Sequence, residues 1–235
     1  MMENNRRRMA LLEEAARQLY REWFVRFRFP GYEHTRIVNG VPEGWNHGRV
    51  ADLGEITTGK TPSTEDESNY GDDVQFVKTP DMHAQLIIVE TEEGLSEKGA
   101  ASQSNKFIPE GSILVACTGA KLGVVSLTSE RCQTNQQINA VIPHHESMRY
   151  FSFFALRDLK PVLQAMGGGA TMPNVNKTKF SGLPLLLPPR SLMTTFNDVV
   201  HSTFLQIRTL LLLDKKLKAA RDLLLPRLMS GEIAV

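Results

Sequence analysis

The sequence has only two cysteines in 235 residues, Cys117 and Cys132, and they show neither C-x-x-C nor histidine-rich spacing. That excludes a disulfide framework and a cysteine-based zinc site, and makes reduced packing thiols in a cytoplasmic setting the expectation. No apolar run is long enough to span a bilayer, and MMENNRRRMA leads into a charged segment, so neither a membrane anchor nor a signal peptide is expected. There is no internal repeat and no low-complexity tract. A surplus of charge is also missing, since the net charge is +1, yet that figure hides a segregation: residues 37–100 carry 4 basic and 13 acidic side chains, and residues 101–190 carry 9 and 4. Such a split favours a dipolar domain with one face suited to phosphate. What the chain does have is 41% hydrophobic residues, enough for a real core.

Hydrophobic periodicity divides the chain in three. From residue 5 to about 27, Met9, Leu12, Ala16, Leu19 and Trp23 recur at helical steps, and Phe29-Pro30-Gly31 should end that helix. Between 37 and 187, short β-rich runs (VQFVK, QLIIVE, KFIP, SILVACTG, LGVVSLT, INAVIP) alternate with Gly, Pro, Asn and Ser, with one helix expected near 148–165. After Pro188-Pro189 a helical seam returns, with 8 apolar residues in the 10 positions 192, 196, 199, 203, 206, 210, 213, 217, 220 and 224. A neighbouring stripe of Val200, Phe204, Ile207 and Leu211 widens its apolar face. The predicted helix, about 50 Å long, exceeds what one small β domain can cover. The expected organisation is an N-terminal helix segment (1–36), a mostly-β domain (37–189) and a long C-terminal helix (190–235), an α+β chain.

Two matches suggest nucleotide hydrolysis and fail on context. Gly54-Glu-Ile-Thr-Thr-Gly59-Lys60-Thr61 fits the phosphate-loop pattern, and Leu210 to Asp214 reads as a strand ending in a metal-binding Asp. A phosphate loop needs a helix to follow it, so that amides and the helix N-terminus converge on the phosphates. Here PSTEDESNYGDD follows, broken by Pro62 and rich in acid, while Asp214 lies within the long helical seam. Neither ATP binding nor hydrolysis is expected.

The same stretch, Ile56-Thr-Thr-Gly59-Lys60-Thr61-Pro62-Ser63, resembles the opening of a target-recognition domain in the specificity (S) subunits of type I restriction–modification systems. Pro42-Glu43-Gly44-Trp45, Phe76 to Met82, the glycine-rich Ser112 to Gly123, Thr134-Asn135-Gln136-Gln137-Ile138, and Met172-Pro173-Asn174-Val175-Asn176 with Leu185 to Pro189 are similar to later motifs of that family, in its order. Ala15 to Val25 looks like the helix ahead of a second recognition domain, and Leu224 to Ile233 like the family's C-terminus. One departure is Arg190-Ser191-Leu192-Met193 where the family often has Leu-x-Glu-Gln. Another is that a complete S subunit holds two recognition domains and two spacer helices, whereas this chain holds one recognition domain, as a half subunit or a fragment would.

The resemblance implies a target-recognition domain flanked by a short N-terminal and a long C-terminal coiled-coil spacer helix. It also implies a non-catalytic chain that directs adenine methylation and cleavage by others, with double-stranded DNA, modification (methyltransferase) subunits and, where the system has one, a restriction subunit as partners. No adenine-methyltransferase motif or glycine fingerprint is found, so no cofactor, metal or catalytic residue is assigned to this chain. Residue types that read bases or hold phosphates occur in the loops at Thr58, Lys60, Thr61, Ser63, Lys78, Thr79, Thr118, Lys121, Asn174, Asn176, Lys177 and Lys179, the last four after the flexible Gly167-Gly168-Gly169. Asn135, Gln136 and Gln137 are expected to bond neighbouring loops, His144-His145 to be surface residues, and Trp23 and Phe24 to be packing. Leu192, Phe196, Val199, Leu210, Leu213, Leu217 and Leu224 are expected to face a partner, with self-association through the long helix restoring a two-fold arrangement. The alternatives are a non-catalytic coiled-coil scaffold and the recognition fragment of a DNA adenine methyltransferase.

Overall fold

The computed structural model describes residues 1–83, 85–167 and 174–230. Gly168-Gly169 of the glycine run, Met172-Pro173 of one family-like motif and Gly231-Glu232-Ile233 of another lie outside these residues. The chain opens with α1 (Met2–Tyr20), which continues as a π-helical turn over Arg21–Val25 and ends before Phe27, whose φ is 59°. Next come β1 (Ile37–Val38), β2 (Val41–Pro42), β3 (Asn46–Arg49), β4 (Gly54–Thr58), β5 (Tyr70–Val77), β6 (Ile87–Ile88), β7 (Gly94–Leu95) and α2 (Glu97–Ala101). The second half holds β8 (Ile113–Ala116), β9 (Val125–Thr128), β10 (Cys132–Thr134), β11 (Ile138–Pro143), α3 (Arg149–Asp158), α4 (Lys160–Gly167), α5 (Lys177–Ser181) and β12 (Pro184–Leu187). It closes with α6 (Arg190–Met229), 40 residues and so about 60 Å long. No helix among the described residues is long and apolar enough to cross a membrane.

The α+β class expected from periodicity holds: the strands lie between two helical ends. The main sheet has the order β4-β11-β8-β9-β6, antiparallel except for the β9–β6 pair, and a second sheet runs β10-β5-β7. The main sheet's central strands β8 and β11 carry unbroken apolar runs because both faces are covered: Ile113, Val115 and Val141 join the cluster shared with the helices, while Leu114, Ala116, Ile138 and Ala140 join a cluster on the opposite face. β3 and β12 pair where the chain enters and leaves the sheets. The KFIP run contributes only a bridge, between Ile108 and Cys132.

An aromatic cluster locks the helices to the sheets. Phe196 of α6 has no exposed surface and meets Phe24 edge-on at 5.0 Å, Trp23 at 5.7 Å and Phe154 of α3 at 6.2 Å. Tyr20 stacks on Phe154 at 5.3 Å, and Trp45 lies against Phe24, Phe27 and Phe29. Trp23 and Phe24 are thus packing residues, as expected. Farther along the antiparallel helix pair, Asn5 Nδ2 donates to the Asp214 carboxylate at 2.8 Å, both side chains buried.

The stripe of α6 that α1, α3 and the sheets bury is Met193, Phe196, Val200, Phe204, Ile207, Leu210 and Asp214. This corrects the expected partner face at Phe196 and Leu210, which are consumed inside the chain. Val199 points out of it at 51% exposure, because the stripe begun by Val200 rather than the one through Val199 faces the core. Leu192 and Leu217 are half-buried, and Leu213 and Leu224 are exposed. From residue 219 onward α6 runs past the cover of its own chain, leaving Leu223, Leu224, Leu225 and Leu228 open.

The burial contrast sets a stability test. Phe196→Ala should cost about 3–5 kcal/mol in chemical denaturation, whereas Val199→Ala should stay within about 0.5 kcal/mol of the parent. Equal losses at the two positions would place the helix in the wrong rotation.

Candidate nucleic-acid interface

The phosphate-loop letters fold into something else. Gly54 is a strand residue paired with Pro143, and a Cβ there would lie 2.0 Å from the Ile142 carbonyl oxygen. Gly59 is required by close approach too, since a Cβ would meet the carbonyl oxygens of Thr134 and Asn135 at 2.2 Å. The amides that would cradle a phosphate are already used: Gly59 N–H donates to Ile138 O, and Lys60 N–H to Thr134 O. No helix follows Thr61, and Asp214 sits on α6, bonded to Asn5. A nucleotide site is absent from both motifs for these reasons.

What the stretch does is bring loops together. The Asn135-Gln136-Gln137 turn between β10 and β11 is the hub. Gln136 Oε1 accepts from Thr61 Oγ1 at 2.7 Å, and Gln137 Oε1 accepts from Thr79 Oγ1 at 2.6 Å and from Asn135 Nδ2 at 3.3 Å. Cys117 N–H donates to Gln137 O, and Val175 N–H donates to Cys117 O, which adds the hairpin and the segment after residue 173. Thr118 and Asn174 form a bridge beside them. Beneath the opening loop, two buried carboxamides hold it down: Gln103 Nε2 donates to Lys60 O at 2.8 Å and to Gln133 Oε1 at 2.7 Å. The expectation that the Asn-Gln-Gln turn bonds neighbouring loops matches this geometry.

The twelve loop residues assigned to DNA from the sequence fall into two groups. Thr58 donates to the buried Asn139, Thr79 is buried beneath the hub, Lys78 pairs with Glu93, and Asn176 caps α5 by accepting from Lys179 N–H at 2.9 Å. Each of these four makes a bond within the chain, which gives it a part in the scaffold; Thr79 is buried, whereas Thr58 and Lys78 are half-buried and Asn176 is exposed. Thr61, Thr118 and Asn174 are shared between loop ties and the surface, and Ser63 is exposed with its carbonyl accepting from Asn69. Lys60, Lys177 and Lys179 are exposed, Lys121 is half-buried, and none of the four forms an ion pair among the described residues. Lys60 and Lys121 stand on loops that the hub ties into a rim, and Lys177 and Lys179 lie in α5, directly after the tied segment 174–176. Sequence reasoning missed Gln103 and Gln133, for which no spacing gives a signal, and gave no surface role to Gln136, the exposed member of the turn.

His144 and His145 are exposed, and no group of three or more metal-ligating side chains comes together among the described residues. Both cysteines are free and buried, and burial pushes the Cys117 thiol up to about 11 and the Cys132 thiol up to about 12. Cys117 belongs to the hub through its backbone, so its side chain is packing and not chemistry. Folding holds these thiol protons more tightly than the unfolded chain does. Their stabilisation is therefore complete below the ordinary thiol pKa of about 8.5 and falls away as pH rises towards 11. At pH 8 neither cysteine should react with a disulfide-exchange reagent until denaturant unfolds the chain. Rapid labelling of native protein would contradict this packing.

Comparison with known proteins places these features. A family profile described as the type I restriction modification DNA specificity domain matches residues 42–206. The chain is 42% identical over 196 residues to the type I restriction enzyme HindI specificity subunit of Haemophilus influenzae, covering 82% of this chain and 42% of that protein. It is 22% identical over 191 residues to the MjaIX specificity subunit of Methanocaldococcus jannaschii, covering 77% and 44%. The chain thus spans less than half the length of these curated relatives. Among solved structures, the type I S subunit from M. genitalium superposes with a TM-score of 0.66 at 13% identity, over 95% of this chain and 55% of that one. The HsdS subunit from Thermoanaerobacter tengcongensis gives 0.53 at 17%, over 98% and 54%.

Proposed function

The chain belongs to the type I restriction modification DNA specificity family, and from that premise we propose that it reads one part of a DNA target for partner subunits that methylate and cleave. In this reading it is non-catalytic and cytoplasmic, uses no cofactor of its own, and binds double-stranded DNA together with modification subunits and a restriction subunit where the system has one. Residues 37–189 act as the recognition domain, and residues 1–36 and 190–235 as spacers. The observation that carries the reading is the rim itself: Lys60, Lys121, Lys177 and Lys179 lie without acidic partners among the described residues, on loops bound to one hub or, for the last two, on the helix that follows one of them. Lysines on tied loops hold phosphates in a fixed register, and Gln136, Thr61, Thr118 and Asn174 between them offer the amide and hydroxyl groups that base edges need.

The test is salt dependence. Each rim lysine that meets a phosphate releases counterions, so Lys60→Gln, Lys121→Gln or Lys177→Gln should each reduce the log–log slope of DNA affinity against salt by about 1. If none of the three changes DNA binding by the chain with its modification subunits, the rim is not the DNA face.

Self-association through α6 is the second part of the proposal. It is supported by the uncovered end of the helix, where Leu213 is 40%, Leu223 60% and Leu224 44% exposed. Leaving one such side chain in water forgoes about 1.5–3 kcal/mol. A second copy packed antiparallel would cover them, place the β domains at opposite ends and make the two DNA half-sites inverted repeats. Leu213→Glu with Leu224→Glu should split such a dimer without unfolding the chain, because both side chains are open in it. Sedimentation of the parent chain as a monomer at tens of micromolar would rule out the self-paired form.

A further inference from the structure

A second positive surface lies on the helix pair, away from the recognition rim. Where α1 and α6 run antiparallel around the Asn5–Asp214 bond, residues 1–9 and 210–222 together carry seven basic and three acidic side chains. The acids contribute little outward charge: Asp214 is buried against Asn5, and Asp222 is taken up by its neighbour Arg221 at 2.7 Å, which leaves Glu3. Arg6, Arg7, Arg8, Lys215 and Lys216 are all exposed, and Arg6, Arg7, Arg8 and Lys216 have no side-chain hydrogen bond or ion pair among the described residues. Successive residues on α1 point about 100° apart, so the three arginines spread their charge around the pair rather than along one line. The result is a basic collar with no fold-internal use.

The collar and the rim border the same short segment. At one end of residues 78–90, Thr79 donates to Gln137 of the hub. At the other, Lys215 Nζ donates to Val89 O at 3.2 Å and Lys218 pairs with Glu90. A cleft of about 450 Å³ between them is lined by Pro80 and Asp81 on the domain side and by Arg6 and Lys215 on the helix side. Residues 78–90 therefore join the hub at one end to the collar at the other.

We infer that the collar is a second, sequence-independent DNA contact, taking the phosphodiester backbone of the duplex beside the bases read by the rim. The inference rests on the DNA-recognition reading above and adds a site to it. Its chemistry is charge alone: exposed guanidinium and ammonium groups with no neighbouring amide or hydroxyl array offer attraction to phosphate and no means of telling bases apart. The rim thus supplies the sequence preference, and the collar supplies affinity to any sequence.

The experiment compares three variants of the full chain, by fluorescence anisotropy with random-sequence duplex DNA across a salt series. The triple variant Arg7→Gln, Arg8→Gln, Lys216→Gln should lower the log–log salt slope by about 2 to 3, at about 0.9 for each phosphate left without its cation. Arg7→Lys with Arg8→Lys, which preserves the charge, should keep the parent slope. The rim variant Lys60→Gln with Lys177→Gln is the control for the underlying reading. If the collar variant keeps the parent slope while the rim variant loses slope, the collar inference is overturned and the rim stands. If both keep it, or the parent chain binds no DNA at low salt, the DNA reading falls and the collar with it. A collar variant that keeps the DNA slope but no longer co-purifies with the modification subunits would assign the collar to a protein partner and overturn the inference. Thermal unfolding of each variant should match the parent, since none of the substituted side chains is buried or bonded.

Discussion

The edge-on packing of Phe196 against Phe24, with ring centroids 5.0 Å apart and planes at 86°, ties α6 to the segment that delivers the chain into the sheets. Around it Tyr20, Trp23, Phe151 and Phe154 bring α1 and α3 to the same point. Interiors packed like this respond to displacement as a block. The angle between helix pair and sheets is set there, and with it the relation of the recognition loops to whatever the helices hold. The ion pairs around it, Arg157 of α3 with Glu13 of α1 at 2.6 Å and Arg208 of α6 with Glu110 at 2.8 Å, are partly exposed and trim this arrangement rather than create it.

The second constraint is polar. The hub uses the side chains of Asn135, Gln136 and Gln137 to join loops that are far apart in sequence, and this leaves the rim's lysines as the groups free to meet a ligand. The division is physically sensible. A loop whose carboxamides and hydroxyls are tied down has lost its conformational entropy before binding, so that cost does not fall on the complex. The family's recurring letters then mark the scaffold of the interface as much as its reading groups. Thr79 shows this well, because it is a DNA-type residue whose hydroxyl turns inward to Gln137.

Much of the fold was legible in the sequence because its signals are local. Alternation of apolar runs with Gly and Pro located β5, β6, β8, β9 and β11, though not β4, whose polar GEITT is an edge strand, and the 3–4 spacing located both terminal helices. The rotation of α6 was not legible. Two apolar stripes run side by side there, one through Leu192 and Val199 and one through Met193 and Val200, and only contact with Phe24 and Phe154 decides between them. The site was legible in residue type and not in role. Thr79 lies 58 residues from Gln137, Gln103 lies 30 from Gln133, and Asn5 lies 209 from Asp214, so no window on the sequence could have paired them.

The buried bond between Asn5 and Asp214 bears on how finely α1 and α6 hold their register. A carboxylate in an otherwise apolar seam finds its partner at one setting of the two helices. Sliding them by a turn, about 5.4 Å of travel, would strand it against aliphatic groups, at a cost of several kcal/mol for a buried charge left unpaired. The pair therefore works as a detent: it has tolerance for thermal play within a turn, and none for the next notch. How far the uncovered end of α6 reaches beyond the start of α1 is held by one amide and one carboxylate.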